Sequence, residues 1–266
     1  MNRAPALVLC CLVTTACVHR PAVRPPPEPL TGAQVLARVR DADAAVQGVR
    51  GEARLKARTK QGRGAVTLYV AAQRPGLLRL ESLDFFGRPQ AVLVSDGERF
   101  GLHQVSEGRF YRGPASPENL SRFLPVVLPA GELLGLLLGQ APVLAGARPE
   151  VRWDGERGAW ALELRVGGVV QRLLVDGVDY RVRESRVEGM SAYDLRFSDV
   201  RRVGGAFLPH VLALEARAAE TELELVYKDP EVNAPVDLGL FDLASPPDVP
   251  VVEVDEQGRD SGGKSP

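Results

Sequence analysis

Cysteine is confined to the first few residues of this chain: Cys10, Cys11 and Cys17 are its only three among 266 residues. That excludes a disulfide framework and a thiolate metal site from the body of the protein. Histidine is as scarce. His19 lies in a proline-rich stretch, and His103 and His210 sit in no metal-ligand spacing such as H-E-x-x-H. Glycines occur singly or in pairs at turn positions, so neither a phosphate-binding loop nor a dinucleotide fingerprint is present. Acidic residues such as Glu222 and Glu224 alternate with Leu223 and Leu225, which reads as the solvated face of a strand. The formal charge is -1 and no Lys/Arg cluster is interleaved with aromatics, so the footprint of a nucleic-acid binder is missing. The reading is a non-enzyme without cofactor or metal.

Aromatics are sparse too, at 6% of residues, yet two of them stand side by side in Leu83-Asp84-Phe85-Phe86-Gly87. Leu78 and Leu80 on one side and Ala91 and Leu93 on the other alternate with period 2, so this stretch joins two strands with one buried face. A strand connection is normally polar; this one is either tucked inward or made to touch a membrane or partner. Ser95-Asp96-Gly97-Glu98 closes the next turn, of the Asp-Gly kind that joins antiparallel strands.

Arg3 and the apolar run Ala6 to Ala16 form a short signal segment, well below the roughly 20 residues a membrane-spanning helix needs. It ends in Thr14-Thr15-Ala16-Cys17, which resembles the lipobox of bacterial lipoproteins, although Thr14 stands where leucine is more usual. The expected organisation is a signal peptide over 1–16, a lipidated Cys17 opening a proline-rich tether over 17–29, a folded domain over 30–254 and a disordered tail over 255–266. At about 3.1 Å per residue, the tether would hold the domain on the order of 30 Å from the membrane. Val18, rather than an aspartate, follows Cys17, which favours a lipid-anchored, periplasm-facing position at the outer membrane.

Thr31 is an N-cap candidate, and Val35, Leu36, Val39, Ala42 and Val46 follow at helical spacing. From Gly51 the period changes to two and a meander of short strands follows. It is interrupted between Pro114 and Gly146 by a short helix capped by Ser116 and by Ala130 to Gly139, apolar nearly all round with a glycine stop. A helix of that kind must be covered by a sheet or line an apolar cavity. Strands then resume to Tyr227, ahead of an irregular strap. The fold class is mainly β, an incomplete antiparallel β-barrel with an N-terminal helix and short lid helices.

The run from Arg74-Pro75 through Leu93-Val94-Ser95-Asp96-Gly97 resembles the core of the LolA/LolB family of periplasmic lipoprotein carriers and outer-membrane lipoprotein receptors. The likeness extends to the opening helix, to Leu124-Pro125 through Leu138-Gly139, and to the closing Asn233-Ala234-Pro235 through Phe241 and Pro246-Pro247. It implies a curved sheet whose lid helices cover a hydrophobic cavity for lipoprotein acyl chains. It also implies that Arg74 holds the lid by hydrogen bonds to helix backbone, and that Leu83, Phe85 and Phe86 form a protruding membrane or partner loop. The apolar residues expected to line the cavity are Val66, Leu68, Leu78, Leu80, Leu133, Leu136, Leu137, Leu162 and Leu164; the alternative for each is ordinary core. The partners implied are lipidated proteins or lipids as cargo, a periplasmic carrier as donor and a membrane through the lipid anchor, with the protein itself a monomer. Two features depart from the family pattern: a Phe pair in the loop in place of a lone leucine, and a carrier-like core behind a receptor-like lipobox. A scaffold lipoprotein using the same fold for protein contacts is the alternative function.

Overall fold

The computed structural model describes residues 23–24, 28–189 and 192–261; the signal segment and Cys17 lie outside these. The chain opens with α1 (Gly32–Ala44), started by a capping box in which the Thr31 side chain accepts from the Gln34 backbone and Gln34 reaches back to Thr31. A meander follows: β1 (Gly48–Thr59), β2 (Gly62–Gln73), β3 (Leu77–Leu83), β4 (Pro89–Ser95), β5 (Arg99–Gln104) and β6 (Arg109–Pro114). After α2 (Pro117–Leu120) and α3 (Ala130–Leu137), the chain returns as β7 (Glu150–Asp154), β8 (Ala159–Val166), β9 (Val169–Asp176), β10 (Val182–Glu188), β11 (Tyr193–Val203), β12 (Ala206–Ala216) and β13 (Thr221–Tyr227). The closing strap contributes β14 (Glu231–Val232), a 3-10 turn over Leu238–Phe241 and β15 (Val251–Glu253).

Among the described residues all strands join one sheet in the order β15-β6-β5-β4-β3-β2-β1-β13-β12-β11-β10-β9-β8-β7, with β14 also on β1. Each half is a sequential meander, and one long-range pairing joins them, Leu55 opposite Leu225 and Ala57 opposite Leu223. β15 alone pairs in parallel, on β6. The two ends of this order, β7 and β15, do not pair with each other, so the sheet is curved but unclosed. Period-2 alternation gives it two chemically distinct faces. Leu55, Leu68, Leu80, Leu93, Leu162, Leu173, Leu195 and Leu214 are buried on the face that packs against the helices. The register puts charged pairs on the other, including Lys56 opposite Glu224 and Glu163 opposite Arg172.

One boundary differs from the sequence reading. Residues 255–261, expected to be a structureless tail, form a turn bonded to α2. The Asp255 carboxylate accepts from the Gln257 and Arg259 backbones, the Asp255 carbonyl accepts from Asn119 Nδ2, and the Glu256 carbonyl accepts from Ser116 Oγ. A polar stretch lacks apolar area to bury, but an Asx-type turn supplies local bonds and α2 supplies the rest.

Candidate functional site

The site is built where α3 crosses the apolar face of the sheet. Leu133, Leu134, Leu136 and Leu137 are buried, and burial of each contributes about 1.5–3 kcal/mol of gross transfer energy. Gly139 ends the helix at φ +76, where a Cβ would meet Pro209 Cδ at 2.5 Å, so the residue answers both a left-handed backbone and a close approach. The last turn of α3 and the chain beyond Gly139 are fastened by side chains from the sheet. Tyr227 Oη donates to the Leu137 carbonyl at 2.9 Å. Gln171 accepts from the Leu144 backbone at 2.7 Å and donates to the Pro142 carbonyl at 2.7 Å and to Ser185 Oγ at 2.9 Å.

Gln140 is the centre of the fastening. Its Nε2 donates to the carbonyls of Asp43 at 2.8 Å and Val46 at 3.1 Å, at the end of α1, and its Oε1 accepts from the Arg74 guanidinium. The Arg74 backbone N–H in turn donates to the Gln47 carbonyl at 2.8 Å, and the Arg74-Pro75 peptide is cis. The resemblance implied that Arg74 bonds helix backbone; here it reaches the side chain of the residue just past α3. Gln140 joins the ends of both helices to the β2–β3 connection.

Burial pushes the Asp43 carboxyl up to about 6, with Arg181 and Arg74 nearby pulling the other way. Arg181 is itself buried, and desolvation lowers its pKa against the pull of Asp179 and Asp43. Across the sheet, burial pushes the Tyr193 hydroxyl up to about 12, with the carboxyl of Glu132 on α3 adding to the shift. Burial likewise raises the Glu132 pKa and drives that of Tyr227 far above the phenol range.

The nominated apolar residues converge on one place. Leu68, Leu78, Leu80, Leu162 and Leu164 lie on the sheet and Leu133, Leu136 and Leu137 on α3, each no more than 6% exposed; Val66 is half-buried at the margin of the same cluster. α3 is packed on this cluster. A hollow of about 1160 Å³ includes only Leu162 of the nine, and its charged lining, including Lys56, Glu163, Arg172, Asp194 and Glu224, lies on the face opposite α3.

The loop after β3 points outward: Phe85 is 97% and Phe86 77% exposed, and their rings meet edge to face at 5.5 Å. Asp84 organises this tip. Its carboxylate accepts from the Phe86 backbone at 2.8 Å, the Arg88 backbone at 2.9 Å and Arg88 Nε at 2.8 Å, and the Arg88 backbone bond above all holds its pKa below the usual range. The Arg88 guanidinium lies 5.3 Å from the Phe86 ring centre. Leu83, the last residue of β3, is half-buried.

Among the described residues no group of three or more His, Cys, Asp or Glu converges as a metal site, and no helix is long and apolar enough to cross a membrane. His210 is buried with Nδ1 3.2 Å from the Leu208 carbonyl, a structural placement. Sequence reasoning found the apolar helix, Arg74 and the Phe pair. It missed Gln140, Gln171 and Tyr227, whose one signal is a glutamine directly after a helix-stop glycine.

No family model and no curated protein matches the sequence. Solved structures do. A domain assigned as an outer membrane lipoprotein-sorting protein, from Vibrio parahaemolyticus, superposes with a TM-score of 0.58 at 12% identity, covering 79% of this chain and 96% of that one. A LolA superfamily protein from Nitrosomonas europaea gives 0.55 at 14%, covering 80% and 98%. A DUF1329 family protein from Desulfovibrio piger gives 0.57 at 11%, covering 79% and 95%. At these identities the likeness is one of fold, and the mainly β, curved and unclosed sheet with few helices is a LolA-like fold.

Proposed function

We propose that this protein binds acyl chains of lipidated proteins, or of lipids, between α3 and the apolar face of the sheet, and assists their placement in the outer membrane while itself anchored there through a lipidated Cys17. The observation that carries this is the way α3 is held. Its leucines cover a continuous apolar face, yet the segment is fastened by a few side-chain hydrogen bonds rather than by strand pairing. Each such bond contributes only about 0.5–1.5 kcal/mol, so α3 is held chiefly by burial of its leucines, an apolar contact that another apolar chain can replace. An acyl chain of about 16 carbons offers on the order of 10 kcal/mol of gross transfer energy to replace the helix contacts. Ordering and desolvation offset part of it, so cargo can be passed on. The exposed Phe85-Phe86 tip supplies an apolar contact for that transfer. The fold likeness supports a carrier-type reading and leaves the choice of cargo to experiment.

The packing of α3 also fits the scaffold alternative, in which the helix is permanent core. Native mass spectrometry on the domain from Pro29 onward, purified without detergent from a host that makes lipoproteins, separates the two. Co-purified acylated protein or phospholipid, lost in Leu136→Glu, is the expected result. A clean apo mass that persists when lipoprotein is offered would leave the scaffold reading standing. Mass spectrometry of the membrane fraction tests the anchor separately, through acylation of Cys17.

A further inference from the structure

Two described points of the chain at and before α1 touch the sheet around β7. Gly32 stands against Pro149, just before β7, where a Cβ would come within 2.5 Å of the Pro149 carbonyl oxygen. Nine residues earlier, just past the other end of β7, the Val23 N–H donates to the Gly155 carbonyl at 2.7 Å. Trp153 Nε1 donates to the Val23 carbonyl at 3.0 Å. The Val23 side chain lies over Gly158, where a Cβ would meet its Cγ2 at 3.2 Å. The receiving surface is rigid: Trp153 packs edge to face on the buried Trp160 at 5.0 Å, and only a missing Cβ at Gly177 leaves room for its ring. These are the only two tryptophans in the chain.

We propose that the chain at Val23 is docked on the β7–β8 connection rather than part of a free tether, and that this sets which end of the domain faces the anchoring membrane. The orientation follows from topology. Every neighbouring pair from β2 through β1 and β13 to β7 is antiparallel, so the 155–158 connection lies at the sheet end that carries 74–76, and Asp84 to Arg88 lies at the opposite end. Under the reading that Cys17 carries lipid, on which this inference rests, the six residues from Cys17 to Val23 reach at most about 20 Å. The anchoring bilayer then lies at the Gly155 end. The Phe pair points away from it, toward a protein that brings lipid cargo from the other side.

The docking itself is tested without lipid. The Val23 amide is expected to exchange slowly in the chain from Cys17 onward, and about tenfold faster in Trp153→Phe, which removes the indole donor. Exchange at the free-peptide rate in the unaltered protein overturns the proposal. For orientation, Cys17 is the sole cysteine of that chain and can be coupled to a maleimide lipid in phosphatidylcholine vesicles carrying a dansyl headgroup. Energy transfer from the native tryptophans is expected, and Phe86→Trp, at an exposed position, should lower the mean transfer efficiency. A rise in efficiency means that the tip rests on its own bilayer and sinks the proposal. An unmodified Cys17 in the cellular membrane fraction would instead count against lipid anchoring, and the exchange result would still stand.

Discussion

Two apolar surfaces of this protein are organised in opposite ways. On α3, four leucines are turned onto the sheet and fastened by polar side chains from other elements, whereas at the β3–β4 tip two phenylalanines are turned to solvent by a carboxylate of their own loop. The first surface is hidden by long-range contacts. The second is presented by a local turn that does not depend on the rest of the fold. The proposed uptake of an apolar cargo would use both, α3 as the cover and the tip as a contact that is always available.

The contrast can be broken by substitutions, and the largest effect is expected in the sheet beneath α3. Leu80→Ala, at a fully buried position, should cost about 2–5 kcal/mol in chemical denaturation, because the cavity left behind cannot collapse. A cost near zero would mean that the interior is already loose. Gln140→Ala comes next. It strips partners from Arg74 and from the carbonyls of Asp43 and Val46, at about 1–3 kcal/mol. Hydrogen exchange should quicken over 130–146 while β1 to β4 stay protected; uniform acceleration would show that α3 is an integral part of the core and not a lid.

Asp43 sharpens the comparison through pH. Its folded pKa of about 6 lies above the unfolded value of 3.8, so the native state binds more protons between those values and stability falls as pH rises through that window. The loss persists above it. Asp43→Asn should therefore flatten the profile between pH 4 and 7 and stabilise the neutral-pH protein by on the order of 1–3 kcal/mol. An unchanged profile would place the titration elsewhere. Glu132 shifts in the same direction and adds to the same slope.

The smallest effect on stability is expected at the tip. Phe85→Ser with Phe86→Ser should alter unfolding by no more than about 0.5 kcal/mol each, since both rings are already in water. Lipoprotein delivery should drop nonetheless. Delivery at the unaltered rate would remove the tip from the transfer reading, and a large loss of stability would contradict its exposure.

Much of this was legible in the chain because it is local. Period-2 leucines place Leu68, Leu80 and Leu162 on one face of a sheet, Thr31 and Gln34 start α1 by themselves, and Gly139 stops α3 by itself. The outward direction of Phe85 and Phe86 was not legible, since an apolar loop is equally consistent with tucking in. The Asp84 bonds decide it. Nor could composition reveal that residues 255–261 are fastened to α2, because the donors lie well over a hundred positions earlier.

By itself, then, the sequence determined strand periodicity, the positions of caps and turns, the apolar character of α3, the confinement of cysteine to the first 17 residues, and the resemblance to a lipoprotein-carrier fold. The tertiary structure decided that β13 sits beside β1 to join two meanders, that Gln140 gathers Arg74 and the end of α1, and that Asp43 titrates near pH 6. It also decided that Val23 docks at the far end from the Phe pair. The reason is physical. Periodicity and capping are satisfied within a few residues, whereas a buried amide or carboxyl takes its partners and its dielectric from whatever the folded chain brings beside it, and those neighbours are remote in sequence.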